Sequence, residues 1–342
     1  MGVLIAKRDF LQTHTQIFVS CGNRTQVTRH GDVIHQLNYV IFMQVNRHGD
    51  RTPLKMNIDL CPNKEKVMKV IEKYGFGQLT NDGKRRSYEM GKFIRQRYDA
   101  YLSPKYNKSE IYLRATEKTR AKMTILLAMA SVYPPTFDNW SQAIQWTPVP
   151  YNTMLASFNC PTYGQYLKKK IMTPIPEFTA KYLTLLNNIS RIICKNITYT
   201  PAMLYPLYDD ITIFLQNFFD TVDRILSGKN EPKIHMCSAH DIDVFTFAVV
   251  TRITPYLEAP KFNSVYSLEL RRVLATGQYI VVPVYLSEPG QEEMYLKVDG
   301  CKGFCDLETF RNLTSESALT FKQYRTLCNY SEDINFDTSN ID

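Results

Sequence analysis

Two stretches of the chain read Arg-His-Gly-Asp, at residues 29–32 and 47–50. Arginine forks match phosphate oxygens two at a time and keep their charge at any working pH, and an imidazole among them can serve as a nucleophile. The second copy lies in QVNRHGDRTP (44–53), where Arg47 precedes His48 and Arg51 follows it. It is fed by the apolar run YVIFMQV (39–45), and Gly49 permits a tight turn beside a ligand. The first copy follows the polar stretch NRTQVT, has Val33 where the second has Arg51, and lacks the proline. His30 therefore has neither a scaffold nor a second cationic neighbour, and it is expected to be dispensable.

Two further segments repeat the arrangement of an apolar strand ending in polar groups: IYL-RATEKTR, carrying Arg114, and MCS-AHD, carrying His240 and Asp241. In open α/β sheets ligands bind outside the carboxyl ends of the strands, so the three sets are expected to converge on one pocket. Its natural guest is a dianionic phosphoryl group. No metal or other cofactor is called for, because arginine performs the charge work. Plainer readings stand beside this one. His240 and Asp241 also suit a simple helix start, with Asp241 facing the positive end of the helix dipole. Arg114 could pair with Glu117 at the surface. His235 and Cys237, with His240 nearby, hint at a metal cluster, but His240 lies beyond the strand end, and packing is preferred for Cys237.

The elements that must position these groups are legible from periodicity. Strands are expected over 39–45, 110–114 and 233–238; GQLTNDGKRRSYEMGKFIRQRYDAYL reads as a helix capped by Thr80 that buries Tyr88, Phe93 and Tyr98. Helices are also expected over 117–133 and after His240. From residue 264 the period becomes two, and VYSLELRRV, QYIVVPVYL and EMYLKV read as a small meander. Strands alternating with helices, followed by hairpins, point to a three-layer α/β/α sandwich with a mixed, mainly parallel sheet. The core is expected to comprise 37–133 and 233–330. Residues 134–232, rich in Pro and Tyr with helix-like apolar spacing, are expected to form a smaller helical cap. Residues 1–36 read as a poorly ordered extension and 331–342 as a tail.

Composition excludes other classes. With 342 residues, 44% apolar and 22% charged, the chain is globular and large enough for two structural units. No window approaches the ~18 apolar residues of a membrane helix. The net charge of +8 is dispersed, and no nucleic-acid motif accompanies it.

RHGDRTP with the downstream HD resembles the histidine acid phosphatase family, the branch of the histidine phosphatase superfamily that includes prostatic and lysosomal acid phosphatases and phytases. GFGQLTNDG, YLRATEKTR, NCP, SAHD and CKGFCDLETF have close counterparts there, over about residues 38 to 330. The resemblance implies His48 as nucleophile, Asp241 as proton donor, and Arg47, Arg51, Arg114 and His240 as phosphate contacts. It implies an acid phosphatase acting on small phosphate monoesters or phosphoproteins. A more selective enzyme for inositol phosphates or lysophosphatidic acid is the alternative, together with a weak phosphate-binding form, because fewer residues separate Cys160 from His240 than in the prostatic and lysosomal members.

The resemblance also implies a homodimer and two disulfides, Cys301–Cys305 and Cys160–Cys328, leaving Cys21, Cys61, Cys194 and Cys237 unassigned. Seven Asn-X-Ser/Thr sequons exceed chance: Asn23, Asn107, Asn139, Asn188, Asn196, Asn312 and Asn329. They favour a secreted or lysosomal glycoprotein, although the first residues, MGVLIAKRDF, carry only a four-residue apolar stretch, short of a signal-peptide core.

Overall fold

A computed structural model describes residues 37–58, 64–136, 140–141, 143–153, 209–254, 257, 259–320, 322–323 and 326. The first Arg-His-Gly-Asp copy, the Cys160–Cys328 pair, Cys21, Cys61, Cys194, Asn23, Asn139, Asn188, Asn196, Asn329 and the two terminal stretches lie outside the described residues.

The apolar run at 39–45 becomes the middle of β1 (Leu37–Arg47), whose Ile41, Phe42 and Val45 are wholly buried. A strand apolar on both sides must be covered on both faces, and β1 sits near the centre of an eight-stranded sheet. Beside it run β2 (Ile111–Ala115), β3 (Asn152–Thr153) and β4 (Ile234–Ala239), in the order β1-β4-β2-β3, all parallel. Register pairs Arg47 with Ala239 and Ala115 with Ser238, so three parallel strands end at one level.

Past the two-residue β5 (Ile253–Thr254), β6 (Val265–Val273) lies antiparallel to β1, β7 (Tyr279–Leu286) to β6, and β10 (Cys305–Asp306) to β7. The sheet is thus mixed, with helix-crossed parallel strands on one side and hairpins on the other. EMYLKV is not one strand. β8 (Met294–Tyr295) pairs with β7, whereas β9 (Lys297–Val298) pairs with β5 in a separate sheet. The amide of Asp299 donates to the Arg252 carbonyl at 2.7 Å and its carboxylate pairs with the Arg252 guanidinium at 2.9 Å, which draws the second half toward β5.

After a single helical turn, α1 (Lys55–Ile58), and the amphipathic α2 (Lys64–Tyr74), two long helices cover one face of the sheet. They are α3 (Asn81–Tyr98) and α4 (Thr119–Val132). Met90, Ile94, Tyr98, Ile125, Met129 and Val132 pack with Phe42, Leu113 and Met236. Thr80 caps α3 by accepting from the Gly83 amide at 3.1 Å. The buried stripe of α3 differs from the expected one: Tyr88 is exposed, and Gly83, Ser87 and Gly91 are buried. These small residues recur at a spacing of four and form a shallow ridge along which neighbouring backbone approaches. A Cβ on Gly91 would lie 2.1 Å from the Ala128 carbonyl oxygen.

α5 (Asp209–Leu226), α6 (Asp241–Val250) and α7 (Leu307–Thr314) cover the other face. Leu215, Phe218 and Val222 of α5 join Phe247, Ala248 and Phe310 in the core. This corrects the expected boundary of the cap. Asn152 and Thr153 extend the sheet and α5 is a core helix, so the described parts of 134–232 that make regular structure belong to the sandwich.

Candidate active site

The loop after β1 is held by its neighbours. The His48 amide donates to the Ala239 carbonyl at 2.9 Å, the Arg47 amide to Ser264 at 3.0 Å, and the Gly49 amide to the Thr124 hydroxyl at 3.0 Å. The start of α3 presses against the loop from the side. A Cβ on Gly83 would fall 2.1 Å from the Asp50 carbonyl oxygen, so only glycine allows this approach. Asp50 itself turns away from the pocket: both its carboxylate oxygens accept from Arg86 at 3.0 Å.

His48 is 2% exposed. Its Nδ1 lies 2.9 Å from the Gly49 carbonyl, which can only accept, so the proton sits on Nδ1 and the Nε2 lone pair is left available. Burial, and the nearby His240, Arg120 and Arg47, push the imidazole down to about 2, keeping it neutral in acid. Arg47 pairs with Asp241 at 3.0 Å and donates to the Pro260 carbonyl at 2.6 Å.

β4 delivers His240 and Asp241, the cap and first residue of α6, and the His240 amide donates to the Asp243 carboxylate at 2.9 Å. The pair thus starts a helix and at the same time stands beside His48 and Arg47. The His240 ring centroid stands 5.3 Å from that of His48. Arg120 Nη2 reaches His240 Nδ1 at 3.5 Å, and Thr116 Oγ1 lies 3.1 Å from Nε2. With Nδ1 accepting from Arg120, Nε2 carries the proton and donates to Thr116. Burial and the Arg120 charge push His240 down to about 4. Arg120 is itself drawn down to about 10 by burial and by the charges of Arg51 and Arg47. Several guanidinium groups sharing a partly buried pocket repel one another, and a bound dianion would relieve that cost.

A profile of the histidine phosphatase superfamily (branch 2) matches residues 37–198. Human lysosomal acid phosphatase is 33% identical to the chain, over 78% of this chain and 75% of the relative. The chain belongs to the histidine acid phosphatase family. Human prostatic acid phosphatase is 25% identical over 79% of this chain and 83% of its own, and the venom acid phosphatase of Apis mellifera 26% identical over 82% and 84%. Among solved structures, the Hafnia alvei phytase in complex with tartrate superposes with a TM-score of 0.54 at 14% identity, over 83% of this chain and 98% of its own; it shares the fold.

Within this histidine acid phosphatase, one expected phosphate contact is misplaced. Arg114 is not at the end of β2 but inside it, paired in register with Cys237. It lines a groove of about 770 Å³ with Tyr112, Asn217 and His235, on the side of the sheet covered by α5. The guanidinium that joins Arg47, His48, Arg51, His240 and Asp241 is that of Arg120, in the first turn of α4. The sequence pattern favours the first arginine of RATEKTR, but the strand runs on through Ala115, and a side chain must start beyond that end to reach the pocket.

The remaining expectations divide by location. Cys301 and Cys305 are disulfide-bonded. Cys237 is buried in the core, and His235 donates from Nε2 to the Pro232 carbonyl at 3.0 Å. Asn107 and Asn312 are exposed.

These buried imidazoles make stability depend on pH. In the unfolded chain each has a value near 6.5, whereas folded His235 and His240 stand at about 4 and His48 at about 2, mainly through burial. Above about 6.5 neither state binds the proton and the native state keeps its full advantage. As pH falls below that, the unfolded chain takes up protons that the native one refuses. Stability then drops by up to about 1.4 kcal/mol per pH unit for each imidazole, down to the folded values. Thermal unfolding in phosphate-free buffer should therefore show Tm falling between pH 6.5 and 4. His48→Ala should show a shallower fall; parallel curves would rule out the His48 contribution.

Proposed function

We propose that the chain is an acid phosphatase that hydrolyses phosphate monoesters through a phosphohistidine at His48 Nε2. The observation that carries this reading is the buried, neutral His48, its Nδ1–H held by the Gly49 carbonyl and its free nitrogen among Arg47, Arg120 and His240.

The Nε2 lone pair attacks phosphorus, the bond to the ester oxygen breaks, and Asp241, protonated, gives its proton to the departing alkoxide. Asp241 must carry that proton, which favours acidic pH. Arg47, Arg51 and Arg120 counter the charge on the three other oxygens, with His240 beside them holding Arg120 in place. A dianion arriving at Arg47 competes with its ion pair to Asp241 and so frees the acid. In the second half, water attacks phosphorus, Asp241 takes its proton, and the nitrogen–phosphorus bond breaks to return neutral His48. Small phosphate monoesters and phosphoproteins are the proposed substrates. The relatives named prostatic and lysosomal, and the exposed Asn107 and Asn312, support a secretory or lysosomal glycoprotein. A homodimer is proposed on the family resemblance.

The test is to trap the intermediate. A nitrogen-bound phosphate survives alkali and is lost in acid, so enzyme quenched in alkali during turnover of an aryl phosphate should carry phosphate on the peptide containing His48. Asp241→Asn should accumulate more of it by slowing its hydrolysis. A turning-over enzyme with no such adduct, or with one labile in alkali, would refute the covalent route.

A further inference from the structure

Residues 260–263, just ahead of β6, are tied to the active site by several contacts. Phe262 lies flat against Arg47, with the guanidinium carbon 4.0 Å from its ring centroid, and its ring stands 5.6 Å from that of His48. Five contacts hold it there. The adjacent Pro260 carbonyl accepts from Arg47; Asn263, at a left-handed φ of 59°, donates its amide to the His48 carbonyl at 3.3 Å and its side chain to Ser87 at 3.0 Å. Arg86, already on Asp50, reaches the Phe262 carbonyl at 3.4 Å and Glu288 at 2.9 Å, and Glu288 holds Lys261 at 2.6 Å. Three other segments of the chain, around His48, Ser87 and Glu288, thus fix the backbone that carries this ring, which remains partly exposed.

We propose that Phe262 is a specificity-determining residue, its open edge receiving the leaving group and favouring esters of flat, ring-bearing alcohols. The inference rests on the phosphohistidine reading. The departing alcohol leaves opposite His48 on the side of its proton donor, Asp241, and Asp241 is joined to the same Arg47 that Phe262 covers. An alcohol released there passes an immobile aromatic surface. Ring-on-ring contacts favour offset or edge geometry, and a ring already fixed loses no rotamer freedom on binding.

The test compares phenyl phosphate with glycerol 2-phosphate on the wild type, Phe262→Leu and Phe262→Tyr. The two substrates yield the same phosphoenzyme, and kcat/KM reads only the steps up to its formation. Their intrinsic difference in reactivity cancels when each variant is divided by wild type. Phe262→Leu should lose about three- to tenfold more kcat/KM on phenyl phosphate than on glycerol 2-phosphate. Phe262→Tyr should restore the ratio. If Phe262 merely steadies Arg47, both substrates fall together and inhibition by inorganic phosphate weakens in parallel; equal losses, or none, overturn the proposal. Absence of a trapped His48 adduct in the wild type would instead refute the reading beneath it.

Discussion

Replacing His48 with alanine should reduce turnover of an aryl phosphate by about 10⁴-fold or more, while His30→Ala leaves it within about twofold. A residue that forms the bond to phosphorus cannot be replaced by water held in the same place, and removing a nucleophile from a preorganised site commonly costs several powers of ten. The guanidinium groups remain, so His48→Ala should still bind inorganic phosphate and gain thermal stability from it. That separates lost chemistry from lost structure: a folded, phosphate-binding, inactive variant is the expected result. Substantial activity in purified His48→Ala would refute the nucleophile assignment. Loss of activity in His30→Ala would make the first Arg-His-Gly-Asp copy something other than coincidence.

The preference for the second copy has its physical reason in β1. The apolar run of that strand continues to Val45 and is buried on both faces, so the residues directly after it must emerge at the end of a central strand, between Ala239 and Ser264. The same reasoning places His240 and Asp241, because the apolar residues of β4 stop one residue before them. Period two marks the hairpin of β6 and β7 correctly, since turn residues and strand residues differ sharply there.

Other features depend on distances that no local pattern encodes. The buried face of α3 follows from close backbone approaches, at Gly83 to the catalytic loop and at Gly91 to α4, which turn the helix away from the side its large rings suggest. The spacing of Phe214, Leu215, Phe218 and Val222 reads as one apolar helix face whether that face lies in a cap or in the core; only its packing on α6 and β1 decides. The charged cluster of Arg97, Arg271 and Tyr98 around the fully buried Glu269 is equally hidden from sequence patterns, because each residue alone reads as a surface or strand position. Arg97 donates to one Glu269 oxygen at 2.9 Å and Tyr98 to the same oxygen at 2.8 Å, while Arg271 binds the other. Burial of that carboxylate is tolerable because each oxygen is hydrogen-bonded to a cation, and the cluster ties the end of α3 to β6.

The Arg114 and Arg120 assignments give the sharpest contrast that mutation can test. Arg120→Ala should lower kcat/KM by about 10²- to 10³-fold and weaken inhibition by inorganic phosphate, whereas Arg114→Ala should change either by less than about threefold. Both residues are arginines of one short segment, so composition and proximity in sequence are controlled. Arg120 lies 3.5 Å from His240, and its charge is felt at His48 and His240, where it opposes protonation. Deleting it removes a donor to the phosphoryl oxygens and also eases protonation of His240, so the acid limb of the pH profile should move to higher pH. The backbone role of Arg120, accepting from the Thr124 hydroxyl at 2.8 Å and so steadying the Gly49 contact, survives truncation of the side chain. Arg114 can influence the reaction only through β2. If Arg114→Ala proves as damaging as Arg120→Ala, with an unchanged Tm, the groove beneath α5 takes part in catalysis and the active site reaches beyond the pocket at the strand ends.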